Sequence, residues 1–433
     1  MSRLRARPSG PLRGEARVPG DKSISHRALL FGALANGESR VAGFLPSGDC
    51  LATLSCLQAL EIEIERHDAT TLTVHGRGLR GLQAPRVPLD CVRSGTTMRL
   101  LAGILAGQAF DTVLTGDPQL LRRPMGRITE PLSTMGAEIE DHEGHAPLSI
   151  HGRPLRGGDH TLTVASAQVK SALLLGGLYA HGPTVVRQPG PARDHTERML
   201  AAMGADVAVD GLNVTLTPGA DLAPNPLTVP GDVSSAAFPL VTAAILPNSA
   251  VTIRDMGVNP TRTGLLDVLE QMGATISLQN ERQQGGEPVA DVTVKSSTLR
   301  GVEISGPTVV RMIDEFPILA VAATQAEGRT VVREAAELRV KETDRIATVV
   351  AGLQTLGAHV EPLPDGFIIT GPTPLHGGRV ESHGDHRLAM ALTVAGTIAR
   401  GETVLENASC IGDSFPGFAS LMRGLGADLD DKS

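Results

Sequence analysis

One unit recurs six times along this chain, and that repetition restricts the fold more than any other property of the sequence. Its most visible half is a strand opening after Gly or Asn, a loop, a helix, and a Gly-Ala pair leading into another strand. Gly182–Val209 shows it in full as GPTVVRQPGPARDHTERMLAAMGADVAV. Phe110–Ile139, Asn248–Leu278, Gly328–Val360 and Gly401–Leu429 carry the same order. Gly37–Ile64 is the weakest copy, because it lacks the Gly-Ala pair. The period is roughly 65–80 residues, longer than that of the usual solenoid repeats.

A helix rich in small residues precedes each copy: Ser25–Ala35, Thr96–Ala106, Ala167–Ala180, Ser234–Ile245, Phe316–Ala326 and Arg387–Ile398. Ala, Leu, Gly and Val occupy nearly every face of these helices, and a helix that is apolar all round is a buried one. Each unit therefore reads as strands around one buried and one amphipathic helix, a β-α-β-α-β-β pattern in an α/β protein. A chain of 433 residues is too long for one ordinary core, so six units divide into two domains of three. Prolines concentrate at Pro224–Pro230 and mark the break. The strand Leu12–Pro19 ends like Leu227–Gly231, which places residues 1–19 with residues 229–433 and leaves residues 20–228 as the other domain, with a double crossover near Gly20. With no Trp, one Tyr and eight Phe, the cores must be aliphatic.

The net charge of −8 argues against a nucleic-acid surface but leaves room for a local basic cleft. Cys50, Cys56, Cys91 and Cys410 form neither a CxxC pair nor a Cys/His metal spacing, so they read as thiols in a reducing compartment. The basic N-terminus lacks an apolar signal region, and the longest apolar runs, such as Ile318–Ala323, are too short to span a bilayer. These features predict a cytoplasmic protein with no membrane or nucleic-acid partner and no metal.

Polar and charged residues recur at the start of every buried helix. They are Asp21 to Arg27, Arg93 to Thr97, Ala165 to Gln168, Gly231 to Ser235, Arg311 to Glu315 and Gly384 to Arg387. N-capping accounts for the hydroxyls and Asp. It does not account for Lys22, Arg27, Arg311 and Arg387, since cations there oppose the helix dipole. An anionic ligand would offset them. Two further charged stretches, Leu121 to Gly126 and Arg339 to Arg345, read by themselves as solvated helix faces, with Glu342 and Arg345 spaced for an ion pair.

The ordered motifs PGDKSISHRALL, SGTTMRLLAG, LTGDPQLLRRPMGRITEPL, SAQVKSALLL, DEFPILAVAATQAEG, LRVKETDRI and GDHRLAMAL resemble the 5-enolpyruvylshikimate-3-phosphate synthase family along nearly the whole chain. The resemblance implies the two-domain enolpyruvyl transferase fold, three repeats per domain, with buried helices pointing into the interdomain cleft. It implies transfer of the enolpyruvyl group of phosphoenolpyruvate to the 5-hydroxyl of shikimate 3-phosphate, releasing phosphate, in the shikimate pathway, by a monomer without a cofactor. Lys22, Arg123, Arg345 and Arg387 match the cations that hold phosphoenolpyruvate, a task suited to the planar fork of arginine. Lys22, Ser23, Arg27, Ser166, Ala167, Gln168 and Lys341 match the shikimate 3-phosphate site, with Gln168 between the two substrates and Arg193 as an extra phosphate ligand. Asp314, which also meets the acceptor, matches the base for the 5-hydroxyl, Glu342 the acid and base at C3, and Lys22 the group that helps phosphate depart. Glyphosate is the inhibitor this resemblance implies, and Gly95, at the start of a buried helix, is the expected point of close approach.

Two positions depart from the family pattern. Arg93 stands where relatives carry Asn, and the loop Cys410 to Ser414, with Asp413, lacks the lysine found in many relatives. Arg93 reads equally as a replacement charge or as a surface arginine. Among rivals, UDP-N-acetylglucosamine enolpyruvyl transferase shares the fold but carries a reactive Cys in the loop before its Arg-Pro pair, and GDPQLLRR (Gly116–Arg123) has none. An RNA 3′-phosphate cyclase would need a catalytic His and a nucleotide-binding surface. A non-catalytic repeat scaffold would scatter its polar residues instead of concentrating them at equivalent helix starts.

Overall fold

The computed structural model describes Ser2–Asp431. Its helices are α1 (Lys22–Leu34), α2 (Gly48–Ala59), α3 (Gly95–Ala106), α4 (Pro118–Leu121), α5 (Gly126–Thr134), α6 (Ala167–Gly177), α7 (His195–Ala202), α8 (Val233–Ile245), α9 (Gly264–Gln271), α10 (Pro307–Arg311), α11 (Phe316–Thr324), α12 (Arg345–Thr355), α13 (His386–Ile398) and α14 (Phe418–Gly424). The six helices predicted to be buried are α1, α3, α6, α8, α11 and α13, and from their second turn onward almost every residue is buried. Where the sequence reading starts the first helix at Ser25, the structure starts it at Lys22, because Asp21 caps it by accepting from the Ile24 N–H at 2.9 Å. Lys22 and Ser23 are thus first-turn residues.

The chain divides into two compact units, Gly20–Val229 with Gln283–Glu287, here the first unit, and Met1–Pro19 with Pro230–Arg282 and Pro288–Ser433, the second. Each has its own aliphatic core. Among the described residues there are six four-stranded sheets, and in five of them one edge pair is parallel and the other two pairs are antiparallel. Asp159–Thr161 pairs parallel with Thr184–Arg187, for example, and α6 makes the crossover between them. The strand before α1, Arg13–Ala16, pairs instead with Ala250–Gly257 in the second unit. The strand before α8, Leu227–Thr228, pairs with Asn36–Ala42 in the first. The two units therefore exchange their opening strands.

The Gly-Ala pairs have a common geometry. Gly136, Gly204, Gly273, Gly357 and Gly426 all have φ between +90° and +112°, just past the ends of α5, α7, α9, α12 and α14. The following Ala N–H bonds back five residues into the helix, as from Ala205 to Leu200 O at 3.0 Å. This is the Schellman closure, and it wants Gly at the left-handed position. The weak first copy makes the same closure, Ile62 N to Leu57 O at 3.0 Å, with Glu61 at φ +64° where the others have Gly. Buried helices also approach closely. A Cβ on Gly103 of α3 would lie 2.2 Å from the Ala172 carbonyl oxygen of α6, so only glycine fits there.

Candidate functional site

Each unit gathers the N-terminal ends of its three buried helices; Lys22, Ser23, Arg27, Gly95, Ser166, Ala167, Gln168, Asp314 and Arg387 lie at those starts, while Arg123, Arg193, Lys341, Glu342 and Arg345 come from the segments that open the amphipathic halves. In the first unit Ser94 caps α3 and Ser166 caps α6 through their hydroxyls. Gln168, two positions after Ser166 and next to Ala167, accepts from Arg99 Nη1 at 2.7 Å and donates to Thr96 Oγ1 at 2.9 Å. The starts of α3 and α6 are thereby tied together. Gly95 faces two guanidinium groups: a Cβ there would meet Arg99 Nη1 at 2.8 Å and Arg123 Nη1 at 3.1 Å. Lys22 is held by Asp49 at 3.0 Å.

Arg27, on α1, is buried. It donates to the Ser23 carbonyl at 2.9 Å, to Thr196 Oγ1 at 2.7 Å and to Ser171 Oγ at 2.8 Å. Burial lowers its pKa to about 10, opposed chiefly by the charge of Glu197 and reinforced by that of Arg193. The buried Arg27 thus feels the charge of the partly exposed Arg193, an arrangement that a dianionic phosphate would relieve. Beneath the helix starts runs a hydroxyl chain: His26 Nδ1 to Thr53 Oγ1 at 2.7 Å, Thr53 to Thr97 at 2.6 Å, and Thr97 to the cap Ser94 at 2.7 Å. Burial pushes the His26 imidazole down to about 3, so it stays neutral at working pH.

In the second unit Arg345 is the organising residue. Its side chain is 1 % exposed and touches three carboxylates: Asp385 at 2.8 Å, Glu342 at 2.6 Å and Asp314 at 3.3 Å. Burial opposes its charge, but Asp385, Glu342 and Asp314 together raise its pKa above the ordinary arginine value. Asp385 caps α13 and is itself held low, since Arg345 outweighs the desolvation that would raise it. Arg387 lies 3.8 Å from Asp314, and Lys341 lies 3.9 Å from the other Asp314 oxygen. The expected i,i+3 pair of Glu342 and Arg345 exists, but its Arg345 is buried in a charged cluster and only Glu342 keeps some exposure.

One sequence reading is corrected here. Arg311 is not an anion-site cation. It ends α10, where a cation suits the dipole, and it pairs with Asp267 at 2.6 Å and the Pro260 carbonyl at 2.7 Å. Arg93 is half-exposed and bound to Asp117, the cap of α4, at 2.7 Å. Sequence reasoning missed Arg99, Asp49, Lys170 and Glu197. A lone cation in an otherwise apolar helix was the available signal for Arg99 and Lys170. Among the described residues, no three His, Cys, Asp or Glu side chains are grouped to hold a metal.

The profile of the EPSP synthase (3-phosphoshikimate 1-carboxyvinyltransferase) family matches residues 6–422. A 3-phosphoshikimate 1-carboxyvinyltransferase of Desulforudis audaxviator is 54% identical over 425 residues, covering 98% of this chain and 99% of the relative. One from Alkalilimnicola ehrlichii is 55% identical, covering 98% and 95%. An EPSP synthase structure from Acinetobacter baumannii superimposes with a TM-score of 0.90 at 44% identity, covering both chains completely. With a profile match across almost the whole length, relatives above half identity and a shared fold, the chain belongs to the EPSP synthase family.

Proposed function

We infer that the chain transfers the enolpyruvyl group of phosphoenolpyruvate to the 5-hydroxyl of shikimate 3-phosphate, and that the two clusters just described carry the reaction. The observation that supports this best is the buried Arg345 holding Asp314 and Glu342, two carboxylates of separate segments, beside Lys341 and Arg387. The reaction needs two such groups. Asp314 takes the proton of the 5-hydroxyl as its oxygen attacks C2, while Glu342 delivers a proton to C3, giving a tetrahedral ketal phosphate. Glu342 then removes a proton from C3 as the C2–O bond to phosphate breaks, restoring the double bond in the product ether. Lys22 meets the charge developing on the departing phosphate.

In this reading Lys22, Arg123, Gln168, Arg345 and Arg387 hold phosphoenolpyruvate, with Gly95 at close approach. Ser23, Arg27, Ser166, Ala167, Gln168, Arg193, Asp314 and Lys341 hold shikimate 3-phosphate, together with Lys22. Glyphosate competes at the phosphoenolpyruvate subsite. In this reading the enzyme works as a monomer. Four buried thiols fit a reducing cytoplasm, and among the described residues no helix is long and apolar enough to cross a membrane.

Phosphate release tests the reading. Purified protein is expected to release phosphate only when both substrates are present, with no effect of EDTA. Turnover with UDP-N-acetylglucosamine but not with shikimate 3-phosphate would overturn it.

A further inference from the structure

Helices α6 and α7 are cross-linked inside the first unit by two adjacent pairs. Lys170 Nζ lies 2.5 Å from Glu197 Oε1, and the hydroxyls of Ser171 and Thr196 are 2.7 Å apart. The two charged side chains are 1 % and 4 % exposed. Lys170 also donates to the carbonyl of Ala192 at 3.4 Å, the residue before Arg193. The other Glu197 oxygen, Oε2, is buried with no hydrogen-bond partner. The mechanism above uses neither Lys170 nor Glu197.

A buried ion pair is a poor stabiliser, since two apolar side chains of similar volume serve as well or better. A second purpose is suggested by Arg27, which docks on the neighbouring Ser171–Thr196 pair. Glu197 is the strongest of the charges that favour the Arg27 cation, and Arg193 is the cation opposing it. The buried Arg27 therefore has Glu197 as the leading anion behind it, ahead of Asp21 and Glu287, and Glu197 has its own counter-ion in Lys170.

We propose that Lys170 and Glu197 are positioning residues of the acceptor's phosphate subsite. The hydroxyls of Ser171 and Thr196 hold Arg27 in place, and the Glu197 carboxylate offsets its charge while the subsite is empty. Lys170 draws on that carboxylate, so that the substrate phosphate and not Glu197 becomes the main anion for the two arginines. Its bond to the Ala192 carbonyl fixes the loop that presents Arg193. The inference rests on the assignment of Arg27 and Arg193 to the phosphate of shikimate 3-phosphate.

The two charges make opposite demands on binding, and that separates this role from a merely structural one. Dissociation constants for shikimate 3-phosphate and for shikimate, which lacks the phosphate, are to be measured by calorimetry on the full chain. Lys170→Met leaves an uncompensated anion facing the arginines, and is expected to weaken shikimate 3-phosphate at least tenfold and shikimate less than threefold. Glu197→Gln removes the competing anion and is expected to bind shikimate 3-phosphate at least as tightly as the parent. Equal losses for both ligands in Lys170→Met, or weaker shikimate 3-phosphate binding in Glu197→Gln, overturn the proposal. If Lys170→Met does not fold, Glu197→Gln decides by the same criterion. Arg193→Ala serves as the control: unchanged shikimate 3-phosphate binding there would overturn the subsite assignment itself.

Discussion

Asp314 and Glu342 share Arg345 but differ in reach, and their isosteric amides separate charge from shape. Asp314→Asn and Glu342→Gln keep hydrogen-bonding volume around Arg345 and are expected to fold and bind substrates. Each should lose about 10²–10⁴-fold in kcat, the usual worth of a positioned acid or base. Wild-type kcat in either variant would remove that residue from the mechanism. At Gly95 the expected outcome is a selective one. The added methyl meets the guanidinium groups of Arg99 and Arg123 before anything else, and narrows the space between them and the helix start. Glyphosate is longer than phosphoenolpyruvate, so Gly95→Ala should weaken its inhibition at least tenfold, about 1.4 kcal/mol, with a smaller rise in KM for phosphoenolpyruvate. Equal inhibition constants for variant and parent would place Gly95 outside the inhibitor pocket. His26 gives a pH signature. Unfolded, it binds a proton below about pH 6.5; folded, burial delays this to about 3. Between those values the unfolded state holds more protons, so stability falls as pH falls. His26→Asn should lose less stability than the parent from pH 6.5 to 4 in denaturant titrations. Parallel profiles would show that His26 ionises normally in the folded protein.

At the scale of the element, the six Schellman closures invite a comparison within one molecule. Five use Gly, and the exposed Glu61 does the same work at φ +64°. A residue with a Cβ pays roughly 1–2 kcal/mol in that conformation, offset in part by the greater chain entropy of Gly when unfolded. Glu61→Gly is therefore expected to raise stability by about 0.5–1 kcal/mol, seen as a higher denaturation midpoint with unchanged slope. A lower midpoint would mean that the Glu61 side chain stabilises the turn by another route. The reverse change, Gly204→Glu, should destabilise by a similar amount.

For the whole molecule, the exchanged opening strands decide what can fold alone. Residues 20–229 contain every strand of the first unit's four-stranded sheets, because Leu227–Thr228 completes the sheet of Asn36–Ala42. At about 210 residues this segment has the size of an ordinary domain. It is expected to unfold cooperatively and to bind shikimate 3-phosphate weakly, since Arg27, Ser166, Gln168 and Arg193 all lie within it. It lacks Glu287, the buried partner of His195 at 2.8 Å, and should be less stable than the full chain. A fragment starting at 230 lacks Arg3–Arg7 and Arg13–Ala16, which complete two sheets of the second unit, and is expected to aggregate. Circular dichroism melts of both fragments check this; a folded 230–433 fragment would show that those strands are dispensable.

The sequence by itself determined the repeat, the six buried helices and the helix starts where polar residues collect, because periodicity and apolar faces are local properties. It also held the order of motifs from which the family follows. Tertiary structure alone decided which charges meet. By spacing alone Arg345 is a surface partner of Glu342; in the fold Asp385, 40 positions away, and Asp314, 31 positions away, close around it. Arg311 looked like a site cation until Asp267 took it up. Lys170 and Glu197 showed no sign of one another, being 27 residues apart on different helices. Burial and pairing depend on the three-dimensional neighbours of a side chain, and linear spacing reports those neighbours only within a turn or two of the same helix.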